Sequence, residues 1–375
     1  MQIALISVAP PYRGGISKHT SILVEKLSIN HSVDVINYSR QYPDFLFPGK
    51  TQYLENKSEI ERSCRWIDSI NPLTWFKTGN RLAKKHYDLV IFRFWNPFFA
   101  PALGVIAGVI KKNSPKTKLM SLSDNILPHE KTPLGDFLTT YLFQKLDGHI
   151  VQSSQTEKEL QEVVDDPIYE KRFHPIYTNF PNKIDKNTAR NKLGLTAKCI
   201  ILYFGIIRDY KGFDILLKAV AKLKNSGLDF HLLAGGECYG NDEKYTQLIS
   251  DLEISDFVTW HNKYIPDSDV AEYFSAADVV ALPYRSASQS GITQIAYYYD
   301  IPVIVTKVGG LPEIVDEGQS GFTIEPENPT ELANMLEKHL KNGTFFEMEN
   351  YIKTFKQKFS WEYFVNGIES VYSRI

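Results

Sequence analysis

Arg208 and Lys211 lie three residues apart in FGIIRDYKGFD (204–214), directly after the apolar run CIILYF. Two cations at the end of a buried strand suit a phosphate, with Arg as a planar fork and Lys as a point charge. The alternative is two solvated basic side chains beside Asp209. A second stretch, SQSGITQ (288–294), follows another apolar run, DVVAL. Here Gln289, Ser290, Gly291, Ile292 and Thr293 read as the first turn of a helix. Such N–H groups have no partner inside the helix, and the helix dipole favours an anion. No acid lies between Tyr284 and Tyr299, so nothing there repels a diphosphate. An ordinary serine N-cap would use the same residues.

Two more strand-end loops carry candidate chemistry. In APPYRGGISKHT (9–20), Gly14 and Gly15 let the backbone approach a ligand at a helix start, or simply make a tight turn. The loop is not GxGxxG, so the dinucleotide fingerprint is missing. In LMSLSDNILPHEKTP (119–133), Asp124, Asn125, His129 and Glu130 cluster just after a strand. A carboxylate and an imidazole there could serve acid–base chemistry or bind sugar hydroxyls. His129 beside Glu130 reads more simply as a surface pair. No HExxH and no carboxylate-rich loop points to a metal, and no cofactor is expected.

The elements that position these loops alternate. Strands are expected near 3–8, 33–38, 88–94, 118–122 and 148–152, with helices between several of them, which argues for a parallel sheet. Residues 40–80 read as a long irregular, aromatic-rich excursion. The stretch HPIYTNFPNKID (174–185), with two prolines and no period, reads as a linker. The pattern then restarts, with strands near 199–204, 230–234, 258–260, 279–282 and 302–305. The expected fold is α/β, two Rossmann-like doubly wound parallel-sheet domains. In such sheets ligands bind at the carboxyl ends of strands, and a cleft between two domains is a preferred site.

The chain has 375 residues, enough for two domains. Lys plus Arg (42) against Asp plus Glu (44) gives −2, which leaves no nucleic-acid footprint. Three separated cysteines without CxxC read as reduced thiols. The N-terminus lacks a basic region before its apolar run, so no signal peptide is expected, and the location expected is cytoplasmic. The longest apolar run, PFFAPALGVIAGVI (97–110), falls short of the roughly 20 residues that span a bilayer. It reads as a packed helix. Together with Lys111, Lys112 and the Trp66–Trp75 region, it is also where peripheral lipid contact would be sought.

RGGISKH, SDNILPHE, FGIIRDYKG, LLAGGE, ADVVALPY, SQSGITQIAYYYDIPVIVTKVGGLPEIV and GQSGF, in this order, resemble a GT-B glycosyltransferase of the retaining family 4 (group 1) type. The tail FSWEYFVNGIESVY (359–372) resembles that family's closing helix. The resemblance implies an acceptor-side domain over 1–178, a nucleotide-sugar domain over 179–357 that faces it across a cleft, and a last helix over 358–375 that crosses back. It implies metal-independent transfer of a sugar, with retention, from a nucleotide-sugar to a glycan or lipid-linked acceptor. The donor diphosphate would meet Arg208, Lys211 and the N–H groups of 290–293, while Gly14 and Gly15 close from the first domain. Gln294 would take the ribose and Asp124 the catalytic place. The chain departs from the family in three places. Ile206 stands where Arg is common, the paired glutamates around 286–296 are missing, and Asp124 replaces a histidine. The alternatives are a catalytically silent GT-B binding protein and a GT-B epimerase.

Overall fold

The computed structural model of the chain describes residues 1–43, 51–54, 63–127, 135–287 and 289–375. It divides into two units, one of Met1–Pro175 with Phe359–Ile375, the other of Ile176–Lys358.

The first unit is built on seven strands: β1 Gln2–Ile6, β2 Ser32–Arg40, β3 Ser63–Asp68, β4 Leu89–Phe94, β5 Lys118–Ser123, β6 Gly148–Val151 and β7 Tyr169–Lys171. Their order is β3-β2-β1-β4-β5-β6-β7, and every pairing is parallel. β1 and β4 are buried almost throughout, as a central parallel strand must be when helices cover both its faces. The strand order reverses between β1 and β4, so the crossovers leave in opposite directions and open a crevice at their carboxyl ends.

The described residues within 40–80 depart from the irregular excursion expected there. It contains β3 and the helix Pro72–Lys85. The Asn71 side chain accepts from Leu73 N at 3.1 Å, and Pro72 occupies the first turn, where its missing N–H costs nothing. β3 pairs only with β2, and its register shifts past Asn37 and Tyr38. Such an edge strand gives a weak periodic signal. The helix Ala100–Asn113 is a packed one, because Leu103, Ile106 and Ile110 are fully buried. Its apolar side is therefore largely spent on the core.

The second unit has β8 Cys199–Phe204, β9 Phe230–Gly235, β10 Val258–His261, β11 Val279–Leu282, β12 Val303–Thr306 and β13 Gly321–Ile324. The order is β10-β9-β8-β11-β12-β13, again wholly parallel. The reversal falls between β8 and β11, the two strands that carry FGIIRDYKG and SQSGITQ at their carboxyl ends. The expected doubly wound α/β fold is present in both units.

Candidate functional site

In the second unit, the two cation-bearing and acid-free loops meet at the switch point. β8 leads straight into Gly205, whose φ of +102° favours glycine. A Cβ there would lie 3.1 Å from Ile292 Cδ1 and 3.7 Å from Lys211 Nζ, so the lysine ammonium and the first turn of the helix Gly291–Tyr298 flank one glycine. Gly212, at φ +66°, passes so close to the β11 loop that a Cβ would sit 2.0 Å from the Pro283 carbonyl oxygen. Arg285 locks the same two loops. It donates to the Asp209 carbonyl at 2.6 Å and to both Asp214 oxygens at 2.8 Å, and it pairs with Glu327.

The acids near these cations are engaged elsewhere. Asp209 pairs with Lys244 and accepts from the Tyr245 hydroxyl at 3.3 Å. Lys211 has no carboxylate partner among the described residues. Burial, with the Arg208 charge beside it, lowers its ammonium to about 8. Its Nζ lies 5.5 Å from the Tyr284 ring centroid, a weak cation–π contact that replaces little hydration. Arg208 is exposed, its guanidinium 5.9 Å from the Tyr239 ring centroid. Ile206, where an arginine is common in the resembled family, is 38% exposed and adds no charge.

Ser290 caps the helix Gly291–Tyr298, its hydroxyl accepting from Ile292 N at 3.3 Å. The serine N-cap and the acid-free first turn are thus both present. Inside that helix, the Thr293 hydroxyl and both amide atoms of Gln294 are buried without a hydrogen-bond partner among the described residues. Such groups are rare in native proteins, and each one left bare costs about 1–3 kcal/mol. Gln289 lies beside the cap and is half-buried. Gly291 packs on Tyr177, whose hydroxyl would lie 3.0 Å from an added Cβ. Together these residues can seat an anion against N–H groups and a cation, with an amide free to bind a hydroxyl.

In the first unit, Gly14 is the N-cap of the helix Gly15–Leu27, with φ +113° and open space where a Cβ would stand. The backbone at this helix start is therefore open to a ligand. Asp124, after β5, has a different setting from the expected one. Arg93 of β4 grips it bidentately, Nε to Oδ2 at 2.8 Å and Nη2 to Oδ1 at 2.5 Å, and Gln152 Nε2 adds a third bond at 3.0 Å. Arg93 also donates to His19 Nδ1 at 2.6 Å. His19 stacks against His174, Trp361 and Phe364, with ring centroids 4.7, 4.8 and 5.4 Å away. Burial first, then the Arg93 charge, holds His19 well below its ordinary value and brings His174 down to about 4. Asn125 is half-buried, its amide 3.4 Å from the Trp95 carbonyl. His129 and Glu130 lie outside the described residues.

Sequence reasoning missed Arg93, His19, Gln152 and Arg285. Arg93 had a readable signal, since a charge inside the apolar strand LVIFRF demands a buried partner. His19 stood in the quoted GGISKH run without a role. Among the described residues no group of three or more His, Cys, Asp or Glu side chains is arranged to hold a metal.

The fold is that of the GT-B class. Sucrose-phosphate synthase from Thermosynechococcus elongatus is similar in structure, with a TM-score of 0.74 at 20% identity over 100% of this chain and 98% of that one. The crystal structure of Anabaena Alr3699/HepE in complex with UDP gives 0.75 at 18% identity, with all of both chains covered. Residues 185–359, which lie almost wholly in the second unit, match the family model of Glycosyl transferases group 1. In sequence, the chain is 23% identical to the uncharacterized glycosyltransferase MJ1178 of Methanocaldococcus jannaschii over 100% of this chain and 99% of that protein. It is 29% identical to D-inositol 3-phosphate glycosyltransferase of Acidothermus cellulolyticus over 50% of this chain, which spans only 44% of that protein.

Proposed function

We propose that this glycosyltransferase takes a hexose from a nucleotide-sugar and passes it, with retention, to a hydroxyl of a glycan or lipid-linked acceptor in polysaccharide or glycoconjugate synthesis, without a metal. The bond from the anomeric carbon to the diphosphate oxygen breaks, and the nucleoside diphosphate leaves with the electron pair. The acceptor oxygen bonds that carbon and gives up its proton. Lys211, Arg208 and the N–H groups of 290–293 take up the charge that develops on the leaving group. Gln289 flanks that seat, and Gln294 binds a ribose hydroxyl. Gly14 and Gly15 bring backbone to the diphosphate. Asp124, held by Arg93, is the acidic group of the site, and Asn125, His129 and Glu130 contact sugar or acceptor.

The observation that carries this reading is geometric: the Lys211 ammonium, with no carboxylate partner among the described residues, stands beside an acid-free helix start. Alr3699/HepE was also solved with UDP-glucose, so uridine nucleotides are the first to try. UDP should raise the melting temperature, and Arg208→Ala with Lys211→Ala should remove the rise. No shift with UDP, GDP or ADP sinks the donor reading.

One observation favours a catalytically silent binding protein: both Asp124 oxygens are already engaged by Arg93. Asp124→Asn separates the two. If nucleotide binding stays and sugar transfer falls, Asp124 works in transfer. If donor turnover was already nil in the parent protein while UDP binds, the silent reading stands.

A further inference from the structure

We infer that the exposed face of the helix Pro72–Lys85 is a docking surface for an anionic lipid bilayer. The inner face of this helix is fully committed: Thr78, Gly79, Leu82 and Ala83 are buried, and a Cβ on Gly79 would lie 2.7 Å from Val109 Cβ. Its outer face is unlike an ordinary solvated one. Leu73 is 69% exposed and Phe76 52%, and Ile70, just before the helix, is 46% exposed. Large apolar side chains scattered singly need no explanation, but three within one and a half turns of one helix end form a patch.

Further along the same face, Lys77, Arg81 and Lys84 are exposed. None has a carboxylate partner among the described residues, and Arg81 lies 5.0 Å from the Trp66 ring centroid. The Asn113 amide donates to Asn80 at 3.3 Å, which brings the end of the helix Ala100–Asn113, with exposed Lys112, alongside. No Asp or Glu occurs from Ser69 through Tyr87 or from Trp95 through Thr117. The whole chain carries −2, so this separation of charge is local and not a reflection of composition.

Charge complementarity selects the occupant. An apolar tip followed by unpaired cations is the pattern of a helix lying in a membrane interface, with the tip in the acyl boundary and the cations on anionic headgroups. Among the described residues no helix is long and apolar enough to cross a membrane, so the contact is with the surface. This deepens the proposed lipid-linked acceptor and rests on that reading only for its purpose, because binding to lipid needs no turnover.

The test is co-flotation of the full chain with phosphatidylcholine vesicles containing about one third phosphatidylglycerol. Binding to these, but not to phosphatidylcholine alone, and release by salt are expected. Lys77→Glu with Arg81→Glu and Lys84→Glu should weaken it by roughly a hundredfold. Leu73→Ser with Phe76→Ser should weaken it at any salt. Circular dichroism and the UDP melting shift report whether each variant is folded. Absence of parent binding, or binding that all of these variants keep, overturns the inference. So does a dimer that dissociates in the Leu73/Phe76 variant, which would assign the face to a second copy. Vesicle binding without a UDP shift would instead overturn the donor reading and leave the surface standing.

Discussion

Each unit places an unusual cation near the end of a central strand, and the two are treated in opposite ways. Arg93 is 1% exposed and pairs with Asp124 through two bonds, with His19 taking a third of its hydrogens. Lys211 is half-buried and receives no carboxylate among the described residues. A buried charge that is fully paired is part of the framework, while one left waiting is a binding group. The glutamines repeat the contrast. Gln152 donates to Asp124 and leaves only its Oε1 bare, whereas among the described residues neither amide atom of Gln294 has a partner.

Breaking the paired cation should have the largest effect. Arg93→Met takes the guanidinium from the half-buried Asp124 and should cost up to about 3–5 kcal/mol in urea unfolding. Adding Asp124→Leu should recover much of that loss. If Arg93→Met unfolds like the parent, the pair is not framework and the contrast collapses.

The waiting cation should respond in the other direction. Lys211→Met should weaken UDP binding about 10- to 100-fold by calorimetry, as expected for charge-assisted hydrogen bonds of ~1.5–3 kcal/mol, while the free protein unfolds no earlier than the parent. A clear loss of stability without ligand would mean that Lys211 has a structural partner after all.

Titration sharpens the same difference. Lys211 loses its proton as pH passes about 8, so UDP affinity should decline above that value and the decline should vanish in Lys211→Met. The histidines behind Arg93 act at acid pH. His174 stays neutral in the folded state down to about 4, whereas an unfolded histidine takes up its proton near 6.5. The unfolded chain therefore binds more protons in that window, and stability should fall as pH drops from about 6.5 to about 4. A flat profile there, with His174→Phe equally flat, would show that the histidines are not buried neutral.

The smallest effect is expected at Gln294. Gln294→Leu removes an unpartnered buried amide, so the free protein should keep its stability or gain about 1 kcal/mol. UDP affinity should fall at the same time. A loss of stability in urea would show that the amide is already used.

Much of the second unit was readable. Strand-length apolar runs ending in glycine, cation or serine loops identify β8 and β11 because a buried parallel strand needs a continuous apolar run and a ligand loop needs the opposite. β3 and the helix Pro72–Lys85 were harder. An edge strand with shifted register and a helix carrying exposed Leu73 and Phe76 blur the periodicity on which such reading depends.

Residue types alone determined that a carboxylate-free turn and two cations would stand at strand ends, because local spacing specifies strand, turn and helix start. They could not decide partners. Asp209 is beside Arg208 in sequence yet pairs with Lys244, and Asp124 looked free yet is gripped by Arg93 from another strand. Whether a charge is spent or available depends on which strands the sheet makes neighbours, and that is settled by long-range packing. The same holds for the apolar helix Ala100–Asn113, which hydropathy singles out and packing buries. Its less apolar neighbour is the one left facing out.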